Sequence, residues 1–555
     1  MNNATRNRIS PTHEVINQPD PLSDYNPFDQ HPALRETLQR EGGGRYAEQV
    51  RDYGALAADE VARLGFEANR HAPELDTHDR FGHRIDQVNY HPAYHQLMAL
   101  GIGHGLSALT WSGEPGARVA RSAMIYLHNR FEAGTMCPMT MTHAVLASLR
   151  LQPDVAEQWQ PRVLAATYDQ RFLPAEQKQG ATLGMAMTEK QGGSDVRANT
   201  TRAAPLATRG PGQEYLLVGH KWFCSAPMSD AFLTLAQTEE GLSCFLVPRF
   251  CPDGSVNPFH LIRLKDKLGN RSNASAEVEF PGTWGVMVGE PGRGVATIIR
   301  MVAETRLDCA IGSASLMHQA LSEAIHHCDG RQAFGRCLSA QPLMQNVLAD
   351  MALESEAALV LALHLAGRFE RAGTDAASER IARLATPVAK YWLCKRAVGL
   401  CYEAMECLGG NGYVEESMLP RLFREAPVNA IWEGSGNIQC LDVLRAIDRE
   451  PETIDAFRDF VEPHAGDHPA LAAALKEIGQ MLGNSERAEF EARRMVEAIA
   501  VTLQAAVLLE AGNDTVAETF IVARLVHGNR GGLFGNLGPD APLEALVARS
   551  RPGGH

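Results

Sequence analysis

The sequence predicts a multidomain α+β protein in which a β domain lies between two helical domains and a further helical block follows. The chain has 555 residues, more than one hydrophobic core usually serves. Before residue 180 and after residue 290, apolar residues recur at spacings of three and four, which is the period of an amphipathic helix. Between these positions the pattern changes to short runs divided by Gly, Pro, Asn and Asp, which is typical of strands.

Changes in pattern divide the chain into five segments. Residues 1–45 are rich in Pro, Asn and Asp and predict an extended arm without a core of its own, either packed on another subunit or loosely attached. Residues 46–179 predict a helical domain, residues 180–290 a β domain and residues 291–446 a bundle of long helices. Residues 447–555 predict an extra helical domain, broken at glycine-rich points.

The composition predicts a soluble, cytoplasmic protein, with 45% hydrophobic and 21% charged residues. A formal net charge of −14 gives no general attraction to nucleic acid or to anionic membranes. The eleven cysteines include no C-x-x-C pair, which favours reduced thiols over disulfides. We see no apolar leader, and the longest apolar run, Ala498 to Leu509, is too short to cross a membrane.

Two segments of the β domain carry residues suited to a flat, phosphorylated cofactor. In LGMAMTEKQGGSDV, residues 183–196, a strand enters a Gly-Gly-Ser-Asp turn whose backbone N–H groups can cradle a phosphate. Met187 and Thr188 at the end of that strand could face a flat ring. Phe223 and Ser225 stand two apart and therefore share one face of a strand. Taken singly, an ordinary turn and a strand with one core aromatic explain these patterns better.

Three later segments add a cation, paired glycines and a carboxylate. Arg331 and Phe334 are three apart, which predicts neighbours on a helical turn, and the pair suits a pyrophosphate and an adenine. The adjacent glycines at 409–410 let a ligand approach the backbone at the end of a long helix. Glu433 lies between Trp432 and a Gly-Ser-Gly hinge, which makes it a candidate general base. Helix capping is the alternative for the glycines, and a capping or solvent-facing side chain is the alternative for the glutamate.

The order and spacing of these five segments resemble the acyl-CoA dehydrogenase family from about residue 90 to residue 446. Residues 186–198 fit the family's first signature, small-Met-Thr-Glu-x-x-Gly-Gly-Ser-Asp-x-x-small, and residues 406–425 fit the second without a gap. The resemblance implies the acyl-CoA dehydrogenase fold, with an N-terminal helical domain, a middle β-barrel and a C-terminal helix bundle. It also implies a homotetramer with one FAD per chain bound between subunits, and an acyl-CoA or related small molecule as substrate.

The resemblance assigns roles residue by residue. The stretch that meets the flavin and the pyrophosphate comprises Met185, Met187, Thr188, Gly193, Ser194, Phe223, Cys224 and Ser225, with Phe223 in place of the family's usual Trp. The part that reaches a neighbouring subunit's FAD comprises Arg331, Phe334, Gly409 and Gly410. The last cofactor-binding stretch comprises Ile431, Trp432, Gly434, Ser435, Gly436, Asn437 and Leu441.

Within that last stretch Glu433 matches the base that removes the substrate's α-proton. Some family members carry the base on an earlier helix, at a position that corresponds here to Thr305. Because threonine cannot act as that base, Glu433 keeps the role, and the neighbouring Glu304 is the next candidate.

Longer segments, among them GMAMTEKQGGSDVRANTTRA, GHKWFCSAPMSDA and PVNAIWEGSGNIQCLDVLR, are similar to the AidB-type branch of the family, the DNA alkylation adaptive-response flavoproteins. That branch also carries a helical block after the position where ordinary members end. The similarity implies non-specific binding of double-stranded DNA with weak or no dehydrogenase activity. The alternative is a metabolic acyl-CoA dehydrogenase with a C-terminal extension, and a flavin-binding scaffold without a reaction is a third possibility. The extra block favours the first.

The charge of the extra block opposes DNA binding, because residues 451–555 hold nine basic and fifteen acidic side chains and phosphate-binding domains are usually basic. A cluster on one face could still form from Arg493, Arg494, Arg524 and Arg530, with Arg549 and Arg551 nearby. Solvated or salt-bridged arginines are the equally weighted alternative. No metal site is expected, since the histidines lack partners at ligand spacing, and no G-x-G-x-x-G follows a strand.

Overall fold

The structure, a computed structural model, describes residues 12–484 and 486–553. The first eleven residues of the predicted arm lie outside this range. The prediction of an arm without a core is wrong for helix α1 (Pro32–Arg40), where Pro32 opens the helix with a pre-set φ. Leu34 and Leu38, one helical turn apart, are buried in the main hydrophobic core.

The next segment is helical, as predicted, but a β-hairpin interrupts it. Strands β1 (Glu74–His78) and β2 (Arg84–Asn89) pair antiparallel, and Val88 packs into the core of the β domain. Short polar strands of this kind carry too weak a pattern to separate from a loop. The helices are α2 (Ala47–Leu56), α3 (Ala62–Arg70), α4 (Pro92–Gly103), α5 (Ala117–Asn129), α6 (Met136–Ala144), α7 (Leu146–Leu149) and α8 (Pro153–Val163).

The middle of the chain forms a small β-barrel, which confirms the predicted β-barrel domain. Its strands are β3 (Leu183–Ala186), β4 (Arg202–Pro205), β5 (Glu214–Ser225), β6 (Ala231–Thr238), β7 (Gly241–Pro248), β8 (His260–Leu264) and β9 (Ser275–Val288). The pairing β6-β4-β5-β9-β7 returns to β6 and closes the sheet. Strand β3 adds to β6, and β8 adds to β9. Closure leaves few free strand edges.

Long helices follow the barrel: α9 (Gly294–Gly330), α10 (Pro342–Arg371), α11 (Ala376–Cys407), α12 (Leu419–Asn429) and α13 (Gly436–Arg449). Two hydrogen bonds from cysteine thiols of α11 to carbonyls of α9 show the relative direction of these helices. Cys394 donates to the carbonyl of Cys309, and Cys401, seven residues on, donates to that of Leu316, also seven residues on. The helices α9 and α11 therefore run parallel and side by side.

The extra C-terminal block shares the core of this bundle. Its helices are α14 (Glu452–Ala465), α15 (Pro469–Leu482), α16 (Ala488–Glu510), α17 (Asp514–Phe520) and α18 (Leu543–Ala548). Trp392 of α11 donates its indole N–H to Gln504 of α16 at 2.9 Å. All eleven cysteines are free thiols. Among the described helices, none combines the length and the apolar character that a membrane span requires.

Candidate flavin and catalytic site

The loop between α12 and α13 carries Glu433 in a left-handed conformation, with φ of 57°. Gly434 follows with φ of 94°, which a residue with a Cβ rarely adopts. This backbone turns the Glu433 carboxyl toward α9, where the Thr305 hydroxyl donates to its Oε2 at 2.9 Å. The two positions at which the resemblance allows a base therefore touch each other.

The surroundings of Glu433 suit a base better than those of Glu304. Burial raises the pKa of Glu433 above its usual value, although Thr305 and nearby cations oppose the shift. The Glu304 carboxyl is fixed by Arg118 at 2.5 Å and by His143 at 3.3 Å. Burial alone would raise the pKa of Glu304, but these partners hold it well below its usual range. A carboxylate held in this way is a poor proton acceptor.

The outward face of β5 presents the residues predicted to meet a flavin. Phe223 is 49% exposed and Cys224 is fully buried on the opposite face. A β-bulge between Lys221 and Cys224 turns this stretch locally. Burial raises the pKa of the Cys137 thiol on α6, and the nearby Ser225 and Glu433 lower and raise it, respectively. The end of β5 and the Glu433 loop therefore both lie close to Cys137.

A buried ion pair anchors the start of the glycine-rich turn after β3. Glu189 and Lys221 are fully buried, with Oε1 and Nζ 3.0 Å apart. Burial alone would raise the pKa of Glu189, but hydrogen bonds and the Lys221 charge lower it. A Cβ on Gly193 would lie 2.4 Å from the Thr188 hydroxyl oxygen, so the turn needs glycine there. Sequence reasoning missed this ion pair, because no motif marks it.

Arg331 and Phe334 do not lie on a helical turn, and that prediction is wrong. The helix α9 ends at Gly330, and two short strands, β10 (Gln332–Ala333) and β11 (Arg336–Cys337), form a hairpin. Phe334 and Gly335 form its tip with φ of 53° and 84°, the left-handed pair that tight hairpins require. Phe334 is 98% exposed.

The N-terminal segment joins this hairpin to the paired glycines. The Arg331 guanidinium donates to the carbonyl of Asn17 at 2.5 Å, and the Asn17 side chain pairs with the backbone of Gln332. Asn411, beside Gly409 and Gly410, donates to Gln18 at 3.1 Å. A Cβ at either glycine would meet nothing within 4 Å. These residues form one surface at the far end of the bundle.

The predicted cofactor residues therefore fall into two groups within one chain. Thr305, beside the Glu433 loop, and Gly330, beside Arg331, are 25 residues apart on α9, so these two positions lie about 38 Å from each other at 1.5 Å per residue. The near group fits a bound flavin: Ile431 and Phe223 are exposed apolar side chains, and the buried indole N–H of Trp432 has no partner among the described residues. One chain cannot close both groups around one cofactor.

Met185, Cys224 and Gly436 of the predicted cofactor-binding set are buried. Seven further members are partly or fully exposed: Met187, Thr188, Ser194, Gly434, Ser435, Asn437 and Leu441.

Arg524 is not available to DNA, and that part of the prediction is wrong. Its side chain is 2% exposed and pairs with Asp350 at 2.5 Å and Glu354 at 3.1 Å. A buried guanidinium between two carboxylates is a structural ion pair. Arg549 and Arg551 are likewise paired with carboxylates.

The other three arginines also have partners. Arg494 and Arg530 both pair with Glu477, at 3.0 and 2.8 Å. Arg493 donates to the side chain of Asn437 at 2.8 Å. Arg494 and Arg493 remain exposed to solvent, so they are the members of the predicted set with a surface that a phosphate could reach.

One cluster has the composition of a metal site: Glu67, His71 and His91 each place a ligand atom within 4.8 Å of the others. Both imidazoles are engaged through Nδ1. That of His71 bonds to the carbonyl of Glu67, and that of His91 accepts the N–H of Ala93. The rings stack 4.4 Å apart. The premise that the histidines lack partners at ligand spacing is wrong for this cluster.

Three family models match consecutive parts of the chain. The adaptive response protein AidB N-terminal domain matches residues 17–170, the acyl-CoA dehydrogenase middle domain residues 184–283 and the acyl-CoA dehydrogenase C-terminal domain residues 292–447. The putative acyl-CoA dehydrogenase AidB of Escherichia coli K12 is 47% identical over 475 residues, which cover 85% of this chain and 87% of that protein. This chain belongs to the acyl-CoA dehydrogenase family. The N-terminal match and the E. coli relative identify the AidB-type branch, as the sequence predicted, and the membership supports FAD as the cofactor.

The similarity extends to an animal protein and to solved structures. Acyl-CoA dehydrogenase family member 11 of Caenorhabditis elegans is 31% identical over 529 residues, covering 91% of this chain and 83% of that protein. The crystal structure of the C. elegans protein ACDH-11 in complex with C11-CoA superposes with a TM-score of 0.87 and 28% identity, covering 96% of each chain. An acyl-CoA dehydrogenase from Bacillus anthracis complexed with FAD shares the fold, with a TM-score of 0.68, 18% identity and coverage of 92% of this chain and 86% of that one.

Proposed function

We propose that this protein oxidises an acyl thioester by α-proton abstraction and hydride transfer, with Glu433 as the base. The observation that carries the proposal is the half-buried Glu433 carboxyl, which a left-handed backbone turns toward α9, where it accepts a hydrogen bond from Thr305. A raised pKa brings a carboxylate closer to the basicity that proton abstraction needs. Family membership and the FAD-complexed neighbour support FAD as the hydride acceptor.

The chain's own residues would divide the work of the reaction. The thioester carbonyl acidifies the α-hydrogen, which Glu433 takes as a proton while the β-hydrogen leaves with its electron pair as hydride. The products are a 2-enoyl thioester and reduced FAD. Phe223 and Ser225 would cover the ring and bond its edge, and the turn at Gly193 would hold phosphate oxygens through backbone N–H groups. The ligand of the C. elegans structure, an acyl-CoA, makes acyl-CoA the first class of substrate to test.

We also propose a homo-oligomer, a tetramer on the family pattern, in which Arg331 of one chain completes the FAD site of another. Support comes from the distance of about 38 Å along α9 between Thr305 and Gly330, one beside each group. The exposed Phe334 and Tyr413, at 98% and 81%, are apolar surfaces that a neighbouring chain would cover.

Anaerobic mixing with acyl-CoAs of different chain lengths tests the reaction. The FAD-loaded wild type should lose its visible flavin absorbance and form one equivalent of the 2-enoyl-CoA with at least one of them. Retention of oxidised flavin with every thioester, at concentrations that saturate binding, would contradict the proposal and favour a flavin-binding scaffold.

A second candidate function is binding of double-stranded DNA in an alkylation response, with weak dehydrogenase activity. The resemblance to the AidB-type branch supports it, and the exposed pair Arg493–Arg494 on α16 is the surface that favours it. Such binding should be independent of DNA sequence and should weaken steeply with salt. Arg494→Gln should weaken DNA binding. Arg549→Gln is the matched control, because the wild-type Arg549 side chain is already paired with two carboxylates. Absence of binding at low salt would leave the metabolic function.

A further inference from the structure

The loop that carries Glu433 is held by three side chains from three different helices. Lys390 of α11 donates to the carbonyls of Trp432 at 2.6 Å and Gly434 at 2.5 Å. Gln439 of α13 donates to the carbonyls of Glu433 and Gly434, at 2.9 and 2.8 Å. Arg306 of α9 donates to the carbonyl of Glu433 at 3.0 Å. All three carbonyls of the loop are thus bonded to side chains.

Lys390 differs from the other two because it is a buried cation that forms no ion pair within 4.0 Å among the described residues. Its side chain is 1% exposed, and in the described part of the chain its hydrogen bonds go to backbone carbonyls. Arg306 is instead paired with Asp442 at 2.5 Å. Burying an ammonium group costs free energy unless its donors are satisfied, so the loop carbonyls and Lys390 stabilise each other's positions.

The two hydrogen bonds of Lys390 lie on either side of Glu433, whose backbone conformation is strained. Lys390 bonds the carbonyls directly before and after Glu433, which has φ of 57°. A non-glycine residue in the left-handed region is strained by roughly 1–3 kcal/mol and persists where the surroundings fix it. Loss of the two Lys390 hydrogen bonds would allow Glu433 to relax to negative φ and its carboxyl to move away from Thr305.

We propose that Lys390 is a positioning residue for the base: it locks the loop at 432–434 and places a buried positive charge beside the Glu433 carboxyl. The catalytic part of this inference rests on the proposed role of Glu433. The hydrogen bonds that lock the loop do not depend on that role. Nearby groups from each packed element are Arg306 and Cys309 on α9, Cys137 on α6 and Lys390 on α11. Among these, Lys390 and Arg306 lower the pKa of Glu433 against the larger effect of burial.

Amide hydrogen exchange of the FAD-loaded, full-length protein tests the lock. Lys390→Met should speed exchange at residues 431–436 by at least about tenfold, because local opening no longer breaks two bonds to a buried cation. Arg380→Met is the matched control, since Arg380 lies ten residues earlier on α11 with an exposed side chain and makes no hydrogen bond or ion pair with the described residues. Unchanged exchange in Lys390→Met would overturn the lock.

The carboxyl titration tests the charge, using the infrared band of the protonated Glu433 side chain identified by its loss in Glu433→Gln. Lys390→Met should move that titration to higher pH, whereas Lys390→Arg should keep it near the wild-type position. Gln439→Met removes two bonds from the same loop without removing a charge. It should therefore speed exchange and leave the titration in place, which keeps the test decisive if Lys390→Met folds poorly. A titration that is unmoved in Lys390→Met, or moved equally in Gln439→Met, would overturn the proposed charge effect.

The two proposals fail separately. If Glu433→Gln still reduces its flavin with acyl-CoA at the native rate, the base assignment is lost, although exchange and titration still report on Lys390. If turnover depends on Glu433 but Lys390→Met keeps native exchange, titration and rate, Lys390 has no positioning role.

Discussion

Single buried carboxyls in this protein differ in what surrounds them, and their pKa values follow. Glu304 is fixed by a cation and a histidine, Glu189 by a lysine and several donors, and Glu433 by one hydroxyl. The pKa is lowered for the first two and raised for the third. Opposed environments of this kind separate structural carboxylates from proton acceptors.

Glu425 on α12 gives a pH-dependent contribution to stability. Its Oε1 accepts the N–H of Asn270 at 2.7 Å, and its Oε2 has no partner among the described residues. Burial raises the pKa of Glu425 from 4.5 to about 7. Because the folded value is the higher one, this contribution is complete below the unfolded pKa and is lost as pH rises through about 7, an effect on the order of 3 kcal/mol.

We therefore expect Glu425→Gln to remove this part of the pH dependence. The melting temperature of wild type, relative to that of the variant, should fall between about pH 5 and about pH 8, since only wild type must ionise a buried carboxyl. Thermal unfolding at both pH values measures this difference. If the melting temperatures of wild type and Glu425→Gln change equally between these pH values, the Glu425 carboxyl is already ionised in the folded protein at the lower pH.

At the scale of elements, the β10–β11 hairpin at the end of α9 carries two arginines in different settings. Arg331 is anchored to Asn17, whereas Arg336 is exposed and forms no hydrogen bond or ion pair that the described residues reveal. The Arg331 guanidinium is therefore held in one position, as binding of a pyrophosphate would require, whereas the Arg336 guanidinium is not held.

Arg331→Gln should loosen FAD, and Arg336→Gln in the same hairpin should not. The reason is the loss of a charge-assisted contact to phosphate oxygens, for which about tenfold weaker binding is a reasonable expectation. The ratio of FAD to protein after gel filtration, and titration of apoprotein with FAD, measure it. Equal FAD affinity in both variants would remove Arg331 from the cofactor site.

Sequence predicted the helical and barrel elements well because their periodicity is long and regular. It failed where few residues decide the structure. The Arg331–Phe334 pair has helical spacing, but Gly335 at the following position permits a tight hairpin turn instead. The glycine-flanked motif makes Glu433 a candidate base, and its assignment to that role comes from the family resemblance and stays a prediction. Lys390 and Gln439 had no such signal, because contacts 42 and 6 residues apart in the chain depend on how helices pack.

At the scale of the whole molecule, the separation of the two groups of predicted cofactor residues supports the proposed oligomer, in which a neighbouring chain completes the site. The extra C-terminal block does not form a detached domain, since α14 to α18 share a core with the bundle. Through Arg493 and Asn437 that block also touches the start of α13, four residues after Glu433. The extra block therefore supports the bundle on which the Glu433 loop is built.

If a neighbouring chain completes each site, FAD should be lost when the oligomer dissociates. Dilution should release FAD over the same concentration range in which sedimentation velocity detects smaller species, and added FAD should shift that range to lower concentration by mass action. Phe334→Asp, at the exposed hairpin tip, should weaken both together. A stable monomer with full FAD occupancy would contradict the two-chain site.

The central claim, that Glu433 removes the α-proton of an acyl thioester, is tested most directly by anaerobic stopped-flow reduction of the flavin. With a thioester that reduces wild type, FAD-loaded Glu433→Gln should bind the same ligand and react about 10²–10⁴-fold more slowly, because the amide has almost the same size but cannot accept a proton. Reduction of Glu433→Gln at the wild-type rate would show that another group is the base.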